Sequence, residues 1–185
     1  MATILPPLIA KVGGSLYDMP DLRERLSFFL AGEQSPILLI PGGGPTADVV
    51  RQFDQTHHLQ EETAHWLALR SLSLNARFLG ELLQLPVSAG EARFLNRSVL
   101  DPFLSMVADE NRPDHLPHLW EVTSDSIALR IAHLVRAREL VLLKSIAREG
   151  QGSWHDAVRA GLVDAFFPKA LATMPMPVRI VNLRA

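Results

Sequence analysis

Apolar residues in this chain recur in short blocks that alternate with amphipathic stretches. Residues 5–12 form the first block and read as a buried strand, with Pro6 and Pro7 at its entry. Asp21–Leu30 then places Leu22, Leu26, Phe29 and Leu30 on one helical face. Ile37–Ile40 is a second buried strand, and a helix can begin at Pro45, where no N–H partner is needed. Val49, Val50 and Phe53 give that helix its buried face. Residues 60–84 carry the clearest helical period. Trp66, Leu69, Leu72, Ala76, Leu79 and Leu83 make one stripe, and Leu67, Leu74, Phe78 and Leu82 a second. A helix apolar on two sides is buried within its chain or packed against another subunit. Arg93–Asp114 reads as irregular, broken by Pro102 and Pro113. Leu119–Val122 reads as a short strand, and Thr123 or Ser124 as the cap of a helix running to about Arg136. Leu140–Leu143 is a further buried strand ending at Lys144-Ser145. A polar loop at Arg148–Ser153, a helix at His155–Ala160 and strands at Leu162–Phe166 and Val178–Val181 complete the pattern. The alternation predicts an α/β fold with a mainly parallel sheet covered on both faces.

Composition narrows the class. The 185 residues suit one domain with a substantial core, and no linker divides residues 1–185. Apolar residues make up 48% and charged residues 21%, as in a globular protein. A net charge of −2 with scattered arginines argues against nucleic acid as a partner. The absence of cysteine excludes disulfides and thiolate chemistry and suits a reducing compartment. No apolar run reaches the roughly 18 residues that span a bilayer, and the N-terminus lacks the pattern of a secretory signal. The expectation is a cytoplasmic protein that does not engage membranes.

The candidate chemistry lies in two glycine-rich turns, each entered from an apolar strand. Lys11-Val-Gly13-Gly14-Ser15 follows the first strand, and Pro41-Gly42-Gly43-Gly44 the second. Adjacent glycines let a ligand approach the backbone, and their N–H groups, with a following helix N-terminus, can hold an anion. Lys11 adds a cation beside the first turn. Two phosphate cradles and a lysine fit phosphoryl transfer. Neither turn matches the dinucleotide or Walker patterns.

In order, Lys11-Val-Gly-Gly-Ser15, Pro41-Gly-Gly-Gly44 and Val122-Thr-Ser-Asp-Ser-Ile-Ala128 resemble the amino acid kinase family. The stretches Pro41–Arg51 and Glu62–Leu69 are similar to its short branch containing the kinase of methanofuran synthesis. The resemblance implies a three-layer αβα sandwich, with an acceptor side over residues 1–118 and a shortened nucleotide side over 119–185. It implies ATP and Mg²⁺, and a small phosphorylated or carboxylated acceptor in methanofuran- or tetrahydromethanopterin-linked one-carbon chemistry. A homodimer or higher homo-oligomer is also implied. Lys11, Asp125 and Lys144 become the catalytic candidates. Gly13, Gly14, Ser15, Ser124 and Ser145 fall to phosphate and nucleotide, and Gly42, Gly43, Gly44, Arg51 and His65 to the acceptor. The Thr-Asp-Val-Asp-Gly turn of many relatives is replaced by Lys144-Ser-Ile-Ala-Arg-Glu-Gly150, so both of its carboxylates are missing. The segment that brings a second catalytic lysine is also absent, and Lys144 is read as its substitute. These losses leave open a protein on the same fold that binds a nucleotide or anion without catalysis.

Simpler roles compete at several positions. Asp48 and Arg51 lie one helical turn apart and suit an ion pair. His65 is a core histidine or faces a ligand. His57-His58 and His115-Leu-Pro-His118 lack a spaced carboxylate or cysteine, so no metal site is assigned. Residues 90–118 are expected to form part of the acceptor pocket.

Overall fold

The computed structural model describes residues 6–89, 96–147 and 152–185. Among them, six strands form one sheet: β1 (Leu8–Val12), β2 (Ile37–Pro41), β3 (Val87–Ala89), β4 (Arg97–Asp101), β5 (Glu139–Lys144) and β6 (Val178–Asn182). Their order is β3-β4-β2-β1-β5-β6, and every pairing is parallel. The helices are α1 (Leu22–Gly32), α2 (Gly44–His57), α3 (Glu61–Leu83), α4 (Pro102–Asp109), α5 (Ser124–Leu134), α6 (Trp154–Arg159) and α7 (Phe167–Thr173). Helices cover both faces of the sheet, as the alternating pattern predicts.

The two-residue period of the strands divides the core. Leu8, Ala10, Val12, Leu39, Val141 and Leu143 face one cluster with Leu22, Leu26 and Leu30 of α1. Ile9, Leu38, Ile40, Leu140 and Leu142 face the other, with α5 and α7. Lys11 continues the row of Ile9, and Lys144 that of Leu140 and Leu142. The same alternation that fills the core therefore brings both lysines to the α5 face, at the carboxyl ends of neighbouring strands. The sheet is built outward in both directions from β1, which puts those strand ends at a topological switch point, the usual ligand crevice of an open α/β sheet.

Several segments depart from the sequence reading. Within Arg93–Asp114, residues 97–109 are regular: β4 runs straight into α4, because Pro102 starts that helix instead of breaking the chain. The Asp101 carboxylate caps it by accepting from Phe103 N–H at 3.1 Å. Residues 93–95 and most of the loop at 148–153 lie outside the described residues. Leu119–Val122 and Leu162–Phe166 are turns. Leu162, Val163 and Val122 are apolar because they plug the core, while the backbones close locally, Val122 N–H to Leu119 O at 3.0 Å and Leu162 N–H to Ala157 O at 2.8 Å. β3 and α7 were not anticipated.

Helix α2 buries Ala47 and Val50, while Val49 and Phe53 are exposed. Helix α3 buries Leu69, Leu72, Ala76 and Leu79 of its first stripe. Its second stripe is partly open among the described residues: Leu67 and Phe78 are each 40% exposed and Leu74 is 60% exposed, while Phe78 meets Tyr17 edge to face and Leu82 packs against the core.

Candidate functional site

A cavity of about 230 Å³ opens at the carboxyl ends of β1 and β2, between α2, α3 and the start of α5. Lys11, Gly14, Ser15, Gly43, Gly44, Arg51, His65 and Ser124, all named from sequence, line it. Residues 96–118 contribute nothing to its lining; the wall on that side begins at Leu119 and Trp120.

Three charged groups converge beneath the cavity; Lys11 lines it, while Asp125 and Lys144 lie behind Lys11 and do not. Asp125, in the first turn of α5, accepts hydrogen bonds from Lys144 Nζ at 2.8 Å to each carboxylate oxygen. Lys11 Nζ lies 2.8 Å from Asp125 Oδ1. All three side chains are buried. One buried carboxylate therefore holds both ammonium groups in place. Burial pushes the Asp125 carboxyl up, but the two ammonium groups outweigh it and hold the carboxyl below its usual range. Burial, followed by the charge of Lys11, brings Lys144 down to about 8, against the opposing pull of Asp125.

The position of Asp125 is set from a distance. The α5 N-terminus has no side-chain cap from Thr123, and Ser124 does not cap it either. Asp164 does the work instead. Its Oδ2 accepts from Thr123 N–H at 3.1 Å, Thr123 Oγ1 at 3.0 Å and Ser126 N–H at 2.9 Å, and its Oδ1 accepts from Ser126 Oγ at 2.6 Å. Burial and the nearby Asp125 charge raise the Asp164 pKa. Asp164 sits in the apolar stretch taken for a strand, where a lone carboxylate was the available signal.

The two glycine turns touch backbone to backbone. A Cβ on Gly14 would stand 2.2 Å from Gly44 N, and one on Gly42 would stand 2.6 Å from Gly14 N. Gly44 also has φ +54°, in the left-handed region. The absence of side chains at Gly14 and Gly42 thus serves main-chain packing first, where the sequence suggested ligand access. The carbonyls of the second turn are tied back into the protein. Asn75 Nδ2 lies 2.8 Å from Gly42 O and 2.7 Å from Gly43 O, and Tyr17 Oη donates to Gly42 O at 3.0 Å. Burial pushes the Tyr17 phenol up, so it stays a donor. With its carbonyls engaged, the turn leaves the N-terminus of α2 facing the cavity, where unpaired N–H groups favour anions. Asn75 interrupts the buried stripe of α3, and its sequence context carries no signal of this role.

The remaining candidates fall around this base. Ser15 Oγ and Ser145 Oγ are 2.9 Å apart, joining the first glycine turn to the end of β5. Gly13 packs against β5, with its N–H bonded to Leu143 O at 2.8 Å. Arg51 forms the expected ion pair with Asp48 at 2.8 Å, and its guanidinium also lies 5.3 Å from the centre of the Trp120 ring. The Trp120 indole N–H donates to Asp54 at 2.7 Å, which fixes that ring as a cavity wall. His65 lines the cavity and stacks on His118 at 4.5 Å; burial and then His118 lower its pKa to about 4, so it is neutral near pH 7. His118 is 3.0 Å from Glu110, and Glu110, His115 and His118 have side-chain donor atoms within 4.8 Å of one another. The carboxylate neighbour that the histidines lack in sequence is supplied by the fold.

The sequence model described as "Amino acid kinase family" matches residues 6–148. The chain is 29% identical to the [5-(aminomethyl)furan-3-yl]methyl phosphate kinase of Methanocaldococcus jannaschii, over 95% of this chain and 88% of that protein. UMP kinase from Ureaplasma parvum has a similar fold, with a TM-score of 0.65 at 11% identity over 98% of this chain and 91% of the other. Uridylate kinase from Archaeoglobus fulgidus superposes with a TM-score of 0.61 at 10% identity, over 96% and 90% of the two chains. At these identities the two structures speak for the fold alone. No described helix is long and apolar enough to cross a membrane.

Proposed function

Because the chain belongs to the amino acid kinase family and is a phosphotransferase, we propose that it transfers the γ-phosphoryl group of ATP to the phosphate oxygen of a small phosphorylated metabolite in the cytoplasm. The leading acceptor is the substrate in the name of the Methanocaldococcus relative, [5-(aminomethyl)furan-3-yl]methyl phosphate, which would place the chain in methanofuran- or tetrahydromethanopterin-linked one-carbon chemistry. A carboxylate acceptor is the competing class. The observation that carries the reading is the convergence of Lys11 and Lys144 on Asp125 beside the two glycine turns.

The chemistry asks little of the protein beyond charge and alignment. An acceptor phosphate oxygen attacks the γ-phosphorus in line. A new P–O bond forms, the bond to the β,γ-bridging oxygen breaks, and ADP leaves with the bonding electrons. The attacking oxygen is already ionised, so no general base is required. Lys11, Lys144 and the N–H groups of the turns offset charge on the transferred group. Asp125 acts as the post that holds both ammonium groups. The groove beyond Lys144, with Ile146, Ala157 and Leu162 on its walls, is the place for the nucleoside.

The donor set suits a polyphosphate better than a bare metal ion. Both Asp125 oxygens are taken by lysines and Asp164 is occupied by α5. Mg²⁺ would therefore be held by nucleotide phosphates and water, where it supplies charge neutralisation. Residues 1–118 and 119–185 act as one unit in this reading, since the cavity draws on both. The exposed stripe of Leu67, Leu74 and Phe78 is the contact for a second copy in a homo-oligomer.

The test is ³¹P NMR of the purified protein with Mg-ATP and a panel of phosphorylated and carboxylated metabolites that includes the furan phosphate. ADP together with a new diphosphate product supports the proposal. Nucleotide or phosphate binding with no product from any acceptor would replace it with an anion-binding protein on the same fold.

A further inference from the structure

The cavity changes character along its length, and helix α3 serves as the ruler. Leu72 adjoins the second glycine turn, its Cδ1 3.9 Å from where a Cβ on Gly43 would stand. Glu61, His65 and Leu72 line the same wall. Eleven residues of helix separate Glu61 from Leu72, about 16 Å along the axis. One end of the cavity thus offers Lys11 and the N-terminus of α2, and the other offers the Glu61 carboxylate. Between them lie Leu72 and the fixed indole of Trp120.

The charge balance at the Glu61 end is negative. Asp48 and Arg51 neutralise each other at 2.8 Å. His65, one turn from Glu61, is neutral near pH 7. Glu61 has no hydrogen-bond or ion-pair partner among the described residues. A ligand anchored by an anion at the glycine end would meet an apolar, partly aromatic middle and then a carboxylate that has the N-terminus of α3 but no cationic side chain beside it.

We propose that Glu61 recognises a cationic amine at the end of the acceptor opposite its phosphoryl group, so that the cavity selects zwitterionic phosphates over simple phosphate esters. The proposal rests on the reading of the glycine end as the acceptor's anionic end. It makes Glu61, which lies outside the stretches that carry the family resemblance, a specificity residue. The substrate named for the Methanocaldococcus relative carries an aminomethyl group and a phosphate on opposite sides of a flat ring.

Calorimetry without nucleotide separates this proposal from the kinase assignment. The probes are ω-aminoalkyl phosphates of increasing length against alkyl phosphates of matched length, and [5-(aminomethyl)furan-3-yl]methyl phosphate against its N-acetyl derivative. The native protein should bind the best amine about 10-fold more tightly than its uncharged match, the size of one charge-assisted hydrogen bond. Glu61→Gln should bring that ratio to about 1, and Glu61→Lys should invert it. Glu61 is exposed in the first turn of α3, so both variants should fold. A ratio that survives Glu61→Gln, equal affinity of the native protein for both members of each pair, or no binding of any probe overturns the proposal. Amine preference without turnover keeps the subsite and removes the kinase. Equal turnover of amine and match keeps the kinase and removes the subsite.

Discussion

Replacing Asp125 by asparagine removes a charge and almost no volume, and the site gives the consequence a size. Asp125 Oδ1 lies 2.8 Å from both Lys11 Nζ and Lys144 Nζ, so the two nitrogens are no more than twice that distance apart. At such a separation and an effective dielectric constant near 20, two like charges repel by about 3 kcal/mol. Lys144 has already moved from 10.5 to about 8, chiefly by burial, which corresponds to about 3 kcal/mol against its charged form. Without the carboxylate, the cheaper course is for Lys144 to lose its proton. Breaking a buried pair from one side costs about 3–5 kcal/mol, and that is the destabilisation expected for Asp125→Asn at neutral pH. The pH dependence carries the specific signature. Between about 8 and 10.5 the unfolded chain holds the Lys144 proton and the folded chain does not. Native stability therefore rises with pH through that window, and this contribution is lost as pH falls toward 8. In Asp125→Asn the lower edge of the window moves below 8, so the variant starts gaining stability earlier and its deficit narrows between neutral pH and about 8. Urea denaturation followed by tryptophan fluorescence at a series of pH values measures both curves. Parallel curves with a constant deficit would refute the coupling of Lys144 to Asp125.

Four further outcomes follow from the same geometry. Lys11→Ala should fold, since Asp125 keeps Lys144, but should lose roughly 10²-fold or more in turnover; near-native kinetics in a coupled ADP assay would remove Lys11 from the chemistry. Asp164→Ala should cost about 1–3 kcal/mol by stranding the donors of buried Ser126 and half-buried Thr123, and an unchanged denaturation midpoint would mean that α5 is capped in another way. Gly14→Ala should abolish folded, soluble protein, because its Cβ would meet Gly44 N at 2.2 Å, whereas Gly32→Ala, with nothing within 4 Å, should be tolerated; circular dichroism and yield distinguish the two. Leu74→Asp, on the exposed stripe of α3, should shift sedimentation from a dimer or larger assembly to a monomer, and a native protein that sediments as a monomer contradicts the assigned contact.

The sheet and the glycine turns at its strand ends are legible because they rest on short-range pattern. β1, β2 and β5 are continuous apolar runs flanked by turns, as strands covered on both faces must be, and the glycines and Lys11 sit at their ends. The missed parts depend on partners distant in sequence. Asp101-Pro102 reads as a break until one sees that the carboxylate caps the helix that the proline starts. Leu162–Phe166 has strand-like composition, yet it fills the core from a turn. Asn75 and Asp164 looked like ordinary polar residues, and their roles appear only when Gly42, Thr123 and Ser126 arrive from elsewhere in the chain. In sequence Lys144 reads as a substitute cation at a strand end. That it shares one carboxylate with Lys11 follows from the strand alternation once β5 is seen to pair with β1.

The clamp by Asp164 also bears on when the protein becomes competent during its synthesis. The strands β1 and β2 and helices α2 and α3 emerge first and can pair early, since their contacts are close in sequence. Those elements already provide the glycine turns and one wall of the cavity. Lys144, on the strand that pairs beside β1, arrives much later, and the residue that fixes Asp125 later still. A nascent chain that has not yet reached Asp164 would thus hold the glycine turns without the residue that fixes Asp125. Because a domain folds as a unit, the charged base of the candidate site is complete only when α5, β5 and the segment that holds Asp164 have all joined the sheet.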